Sequence, residues 1–243
     1  MSFPSKLQRA IQRHGVWGSF RVAADQAIGV VNQLRPSVRA ELAEARQRAE
    51  DFDRSFGVET TGQIHPTQLT LNQPNQIHAV SYGATDPLDF RKAVSRLPID
   101  YEKFVFIDFG SGKGRVILLA SEFSFKRIVG LEFSMELHRI AQNNIDCFPK
   151  DRCRCTKMES VCTDVLDYSL PDDNLVCYFC NPFDATLMKQ VAARICQSFY
   201  QMPREIFILY YNAKERHVFD QAACFERIQT NDWIQIWRTV VGI

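Results

Sequence analysis

The sequence predicts an α/β fold: a three-layer α/β/α sandwich on a mostly parallel sheet, with a C-terminal antiparallel hairpin and an N-terminal helical extension. Three observations predict it. From residue 90 onward, short apolar runs alternate with stretches of helical spacing. The runs are almost continuously apolar, as strands covered on both faces must be. The last two flank a Thr230-Asn231-Asp232 turn, which reads as a hairpin.

Residues 1–56 form the extension. Within it, Ser37–Phe56 is rich in Ala, Glu, Arg and Leu, all good helix formers. Its Ala40, Leu42, Ala43 and Ala49 are too few for a core of their own, so the extension is expected to pack on the main domain or on a partner. Residues 57–89, with Gly57, Gly62, Pro66, Pro74, Gly83 and Pro87, have loop composition and form a connector. A loop of that length is usually functional or a linker.

Residues 90–243 carry the main domain. Phe104–Phe109 is its first strand, followed by a helix over Arg115–Phe123. Arg127–Leu131 is the second strand, stopped by Glu132. Ser134 is placed to cap a helix running to about Ile145, with Glu136 in its first turn. Ser160–Thr163 and Leu175–Cys180 are the third and fourth strands, the latter ended by Asn181-Pro182. Asp184–Tyr200 repeats Leu187, Val191, Ile195 and Phe199 at steps of four, a helical pattern. Glu205–Tyr211 is the fifth strand and Lys214–Ala223 a helix. Phe225–Gln229 and Trp233–Val240 complete seven strands.

The 243 residues suit one domain plus an extension, and 46% hydrophobic composition supports a sizeable core. A net charge of +1 argues against a nucleic-acid binder held by bulk charge. The charge is uneven: residues 1–39 set Lys6, Arg9, Arg13, Arg21, Arg35 and Arg39 against Asp25 alone, a net +5, leaving −4 over the rest. That is most simply a solvated helix face, and otherwise an arm for an acidic partner. Eight cysteines are scattered, Cys177 and Cys180 inside apolar runs, as reduced cysteines are. Cys153-Arg154-Cys155 lacks a second pair, and the histidines at 14, 65, 78, 138 and 217 have no metal-site spacing, so no metal is expected. Met1–Gly15 is polar, without the apolar core of a signal peptide, and no apolar run approaches the ~18 residues of a membrane span. A cytoplasmic location is the expectation.

The segment Asp108-Phe109-Gly110-Ser111-Gly112-Lys113-Gly114 is the most informative. It follows a strand and opens a helix, and its glycines permit a tight turn against which a ligand can lie. A dinucleotide fingerprint starting at Gly110 would need Gly or Ala where Arg115 stands. A phosphate-binding loop would need Ser or Thr after Lys113, where Gly114 stands. Asp108, Glu132 and Asp164 place one carboxylate at each of the first three strand ends, where open sheets of this kind bind ligands. A carboxylate in the Glu132 position can accept hydrogen bonds from both hydroxyls of a ribose.

Over residues 80–240 the chain resembles the class I, Rossmann-like S-adenosylmethionine-dependent methyltransferases, most specifically at Asp108–Gly114, Glu132 and Asn181-Pro182-Phe183. The resemblance implies S-adenosylmethionine as cofactor. It assigns Gly110, Ser111, Gly112 and Gly114 to its amino-acid part, Asp108 to its ammonium, Glu132 to its ribose and Asp164 to its adenine. Tyr82-Gly83-Ala84-Thr85 resembles the Tyr-x-x-Thr (or Ser) segment of some protein-lysine methyltransferases of the class, which closes over the cofactor, so Tyr82 and Thr85 are expected contacts. Asn181-Pro182-Phe183 is similar to the Asn/Asp-Pro-Pro-Tyr/Phe signature of nitrogen methyltransferases, with one Pro in place of two. It implies that Asn181 holds the acceptor nitrogen and adjoins the cofactor, that Pro182 fixes the backbone, and that Phe183 stacks on the acceptor. Asp184 or Tyr211 is a candidate proton acceptor, and Tyr210-Tyr211-Asn212 a candidate lining of the mouth. The expected activity is methyl transfer to a protein or small-molecule acceptor, the alternative a non-catalytic cofactor-binding module. The oligomeric state is left open.

Overall fold

A computed structural model describes residues 36–62, 64, 83–230 and 233–240. Residues 1–35 of the expected extension and 65–82 of the expected connector, Tyr82 included, lie outside the described residues. The chain divides between Gln47 and Arg48 into two units. The first is described over its helical residues 36–47; the second holds the sheet.

Helix α1 (Pro36–Phe56) runs through the division, and α2 (Pro87–Val94) precedes the sheet. Then follow β1 (Phe104–Phe109), α3 (Arg115–Ser121), β2 (Arg127–Glu132), α4 (Met135–Cys147), β3 (Met158–Cys162) and β4 (Asn174–Cys180). The chain ends with α5 (Ala185–Gln201), β5 (Ile206–Tyr211), the short α6 (His217–Asp220), β6 (Phe225–Thr230) and β7 (Ile234–Thr239). The seven strands form one sheet in the order β3-β2-β1-β4-β5-β7-β6. The first five are parallel, and β7 runs antiparallel between β5 and β6. This is the predicted architecture.

The alternation of side chains along each strand divides the core between the two faces of the sheet. Val105, Ile107 and Phe109 of β1 join Leu175, Cys177 and Phe179 of β4 under α5. Phe104, Phe106, Val176 and Tyr178 meet α2 and α3 on the other face. Every residue of α3 is buried, which is why it carries Val116-Ile117-Leu118-Leu119 without a polar face.

Two elements depart from the sequence reading. Helix α2 lies at the edge of the segment read as connector. Its start is nonetheless written in Asp86-Pro87: the Asp86 carboxylate accepts from the Leu88 N–H, and Pro87 occupies the first turn. The helix expected over Lys214–Ala223 is a single turn. It has no side-chain cap, and only Val218 and Phe219 are buried, too little to sustain more. The second half of α1 docks through Phe52 and Phe56, which meet Phe148 at ring-centre distances of 6.1 and 5.1 Å. All eight cysteines are free. No described helix is long and apolar enough to cross a membrane.

Candidate active site

The sheet order reverses between β1 and β4, and the Gly loop sits at that switch point, where such sheets open a crevice. Gly110, Gly112 and Gly114 all have positive φ, at 82°, 53° and 82°. The loop is fastened to β2: the Gly110 and Ser111 N–H groups both donate to the Leu131 carbonyl at 2.9 Å, and Gly112 N–H donates to Glu132 Oε2 at 2.9 Å. A Cβ on Gly110 would stand 2.6 Å from Pro182 Cβ, so this glycine lets the loop touch the end of β4. The sequence reading missed Gly130. A Cβ there would meet Ile117 Cδ1 at 2.3 Å and Ser111 Cβ at 2.7 Å, so the loop and α3 press on bare β2 backbone.

Asp108, Glu132 and Asp164 stand at the carboxyl ends of adjacent strands, as expected. Glu132 is 3% exposed; besides Gly112 N–H it accepts from Ser134 N–H at 2.8 Å. Burial pushes its pKa up to about 7, against the opposing pull of these backbone donors. Asp108 is equally buried and is held well above the usual carboxylate range, first by burial and then by the charge of Glu132. Asp164 is 8% exposed and accepts from the Leu166 N–H at 2.9 Å.

Among the described residues, neither Asp108 nor Glu132 pairs with a cation, and the buried Ser111 hydroxyl has no hydrogen-bond partner. Two uncompensated carboxylates and an orphaned hydroxyl are unmet demands for positive charge and hydrogen bonds. A ligand carrying an ammonium, a sulfonium and a ribose diol meets them, so the residues fit S-adenosylmethionine.

A pH dependence follows. A ribose diol donates to the ionised form of Glu132, whereas the ligand-free side chain is largely protonated below pH 7. Affinity is therefore expected to rise about tenfold between pH 6 and 8. Titration calorimetry at both values checks this, with Glu132→Gln as the control that flattens the profile; a wild-type profile matching the control would contradict it. The sign for stability is opposite. The ligand-free folded state binds the extra proton, so stability falls as pH rises from the ordinary carboxylate range through 7.

At the end of β4, Asn181 takes up φ 48°, one of two non-glycine residues described with positive φ. It is 7% exposed, and its Oδ1 accepts from the Tyr210 hydroxyl at 3.3 Å. Phe183, expected to stack on an acceptor, is 3% exposed and packs in the core with α5. Asp184, expected as a proton acceptor, spends its carboxylate on the start of α5, accepting from Thr186 and Leu187 N–H at 3.0 and 3.2 Å. The Tyr211 hydroxyl donates to Asp89 at 3.5 Å, and burial pushes its phenol upward, away from use as a base. Thr85 is buried, with its hydroxyl 3.0 Å from that of Tyr178.

A second network behind the loop escaped the sequence reading. The Arg115 guanidinium, 2% exposed, donates to Thr60 Oγ1 at 2.6 Å and to Ala49 O and Asp53 Oδ1 at 3.0 Å, 5.1 Å from the Phe52 ring centre. Asp53 also accepts from the backbone and hydroxyl of both Thr60 and Thr61. Asn144 closes the clamp, donating to Lys113 O and Glu59 O at 2.9 Å. Three segments distant in sequence build this clamp, so no local motif announces it. Asp53→Ala leaves a buried guanidinium and four donors short of their acceptor. It is expected to cost about 3 kcal/mol in urea unfolding; a change below about 1 kcal/mol would refute the assignment.

The chain is a class I S-adenosylmethionine-dependent methyltransferase, an enzyme with S-adenosylmethionine as cofactor. Residues 61–197, more than half of the chain, match the family model described as histone methylation protein DOT1, and the chain belongs to that family. No curated protein matches it. Among solved structures, the chain is similar to the RNA methyltransferase of Salinibacter ruber in complex with S-adenosyl-L-homocysteine. Identity there is 15%, over 67% of this chain and 96% of that one, with a TM-score of 0.44. It is also similar to the ribosomal protein L11 methylase of Lactobacillus delbrueckii subsp. bulgaricus, at 11% identity over 65% and 80% of the two chains and a TM-score of 0.46. A third is the magnesium protoporphyrin IX methyltransferase of Synechocystis PCC 6803 with bound cofactor, at 14% identity, 63% and 77% coverage and a TM-score of 0.42.

Proposed function

We propose that this methyltransferase modifies an amine nitrogen of a protein side chain, and that Asn181 orients that nitrogen. The observation that carries the proposal is the backbone of Asn181. A non-glycine residue held at φ 48° beside the cofactor loop is strain of the kind retained where geometry serves chemistry. Pro182, in contact with Gly110, ties the position of Asn181 to the loop. The family's description, which concerns histones, supports a protein as the acceptor.

In this reading Glu132 accepts from the ribose hydroxyls, Asp108 faces the ammonium, Asp164 takes the adenine amino group, and the backbone at Gly110, Ser111, Gly112 and Gly114 cradles the amino-acid part. Thr85 adds a contact to it, and the resemblance of Tyr82-Gly83-Ala84-Thr85 to the family segment assigns Tyr82 to the same ligand. The sulfonium supplies an activated methyl group, so the protein's contribution is alignment and exclusion of water. An ammonium acceptor must lose its proton before it can attack. With Asp184 engaged at the start of α5 and Tyr211 held protonated, that proton leaves to solvent before transfer.

The test is incubation with methyl-labelled cofactor, a purified basic protein mixture and fractionated lysate, followed by hydrolysis of the labelled material. Label recovered as methylated lysine supports the proposal. Label confined to RNA or small molecules overturns it.

A further inference from the structure

We infer that Tyr178, inside the sheet, is a positioning residue for cofactor capture: its hydroxyl pins Thr85, and with it the segment 83–86, to the face of β4 that adjoins Asp108. The inference rests on reading the Asp108–Gly114 crevice as the cofactor site.

Tyr178 pairs with Asp108 across the β1–β4 register, so the two side chains stand side by side on one face of the sheet. The Tyr178 side chain is fully buried, and its oxygen lies 3.0 Å from Thr85 Oγ1, itself in a residue 2% exposed. Among the described residues the phenol has no other hydrogen-bond partner. A buried O–H must donate somewhere, and burial keeps this phenol protonated far above neutral pH. Tyr178 therefore donates and Thr85 accepts, and the Thr85 hydroxyl in turn donates toward the Cys180 sulfur.

Cys180 lies two residues further along the same face, its sulfur 3.9 Å from the Gly83 carbonyl. Asp86 is gripped by Arg48 at 2.6 to 3.2 Å and caps α2. Residues 83–86 have no regular secondary structure, so the contacts at Gly83, Thr85 and Asp86 fasten them. Of these, the Tyr178 bond is the innermost. Without it, the segment must be ordered at the moment the ligand binds, and affinity falls accordingly.

The experiment is calorimetry of the full chain with S-adenosylmethionine, alongside thermal unfolding. Tyr178→Phe preserves the ring and is expected to weaken affinity about tenfold. Thr85→Val, of the same shape without the hydroxyl, is expected to weaken it at least as much. The double variant should be no weaker than Thr85→Val, and Thr85→Ser should stay within about twofold of wild type. A merely structural Tyr178 would lower the Tm and leave the affinity of the folded protein unchanged; that result, or fully additive losses, overturns the inference. Glu132→Ala tests the underlying reading separately. If it binds the cofactor like wild type, the crevice assignment itself fails. If it loses binding while Tyr178→Phe retains it, only the positioning role fails.

Discussion

Gly112→Val is expected to abolish measurable binding of S-adenosylmethionine in a protein that still folds. Gly112 sits at φ 53°, in the left-handed region, where a β-branched residue clashes with its own backbone. The cost is about 1–2 kcal/mol for an ordinary residue and more for valine. The loop can escape that strain only by moving, and movement breaks the 2.9 Å bond from Gly112 N–H to Glu132, at about 1 kcal/mol. A loop held in place for binding carries the full strain, at least about tenfold in affinity, and a loop that relaxes loses the alignment of Gly112 N–H with Glu132. Calorimetry measures the affinity, and thermal unfolding confirms that the variant is folded. A folded variant with wild-type affinity would remove the loop from the cofactor site.

Asn181→Ala is expected to lower kcat about a hundredfold, the scale on which a single aligned polar group acts on a transition state, while the affinity for S-adenosylmethionine shifts less than about threefold. The separation arises because Asn181 ends β4, whereas the carboxylates assigned to the cofactor stand at the ends of β1, β2 and β3. Stability is a check on the interpretation. The Tyr210 hydroxyl loses its acceptor, which costs about 1 kcal/mol, and alanine is less at ease than asparagine at φ 48°, which adds to the loss. Single-turnover kinetics with saturating cofactor measures the step directly. An unchanged kcat would show that Asn181 is a strand-terminating residue and nothing more.

These two predictions draw on different kinds of information. The role proposed for Gly112 is legible in the sequence, because a glycine-rich turn between a strand and a helix has few physical uses and the acids at neighbouring strand ends narrow them. The fate of Phe183 and Asp184 is not. Both follow Asn181-Pro182, and sequence alone cannot say whether an aromatic ring or a carboxylate there faces a ligand or its own fold. In the structure the ring joins the core under α5 and the carboxylate caps that helix. Arg115 shows the same limit from the other side. In the sequence it marks only a departure from a dinucleotide fingerprint; its partners Ala49, Asp53 and Thr60 lie more than fifty residues away.

By itself the sequence determined the alternation of strands and helices, the bends that end each strand, and the identity of the groups placed at those ends. Each of these is a local property, set by hydrophobic period, backbone conformation and capping. Only the tertiary structure decided which ends become neighbours, because hydrogen bonding of β1 between β2 and β4 joins segments up to seventy residues apart. That adjacency sets Asp108 beside Glu132 and Tyr178, and burial at that junction raises both carboxyls. Proximity and desolvation belong to the assembled sheet and are written in no single stretch of chain.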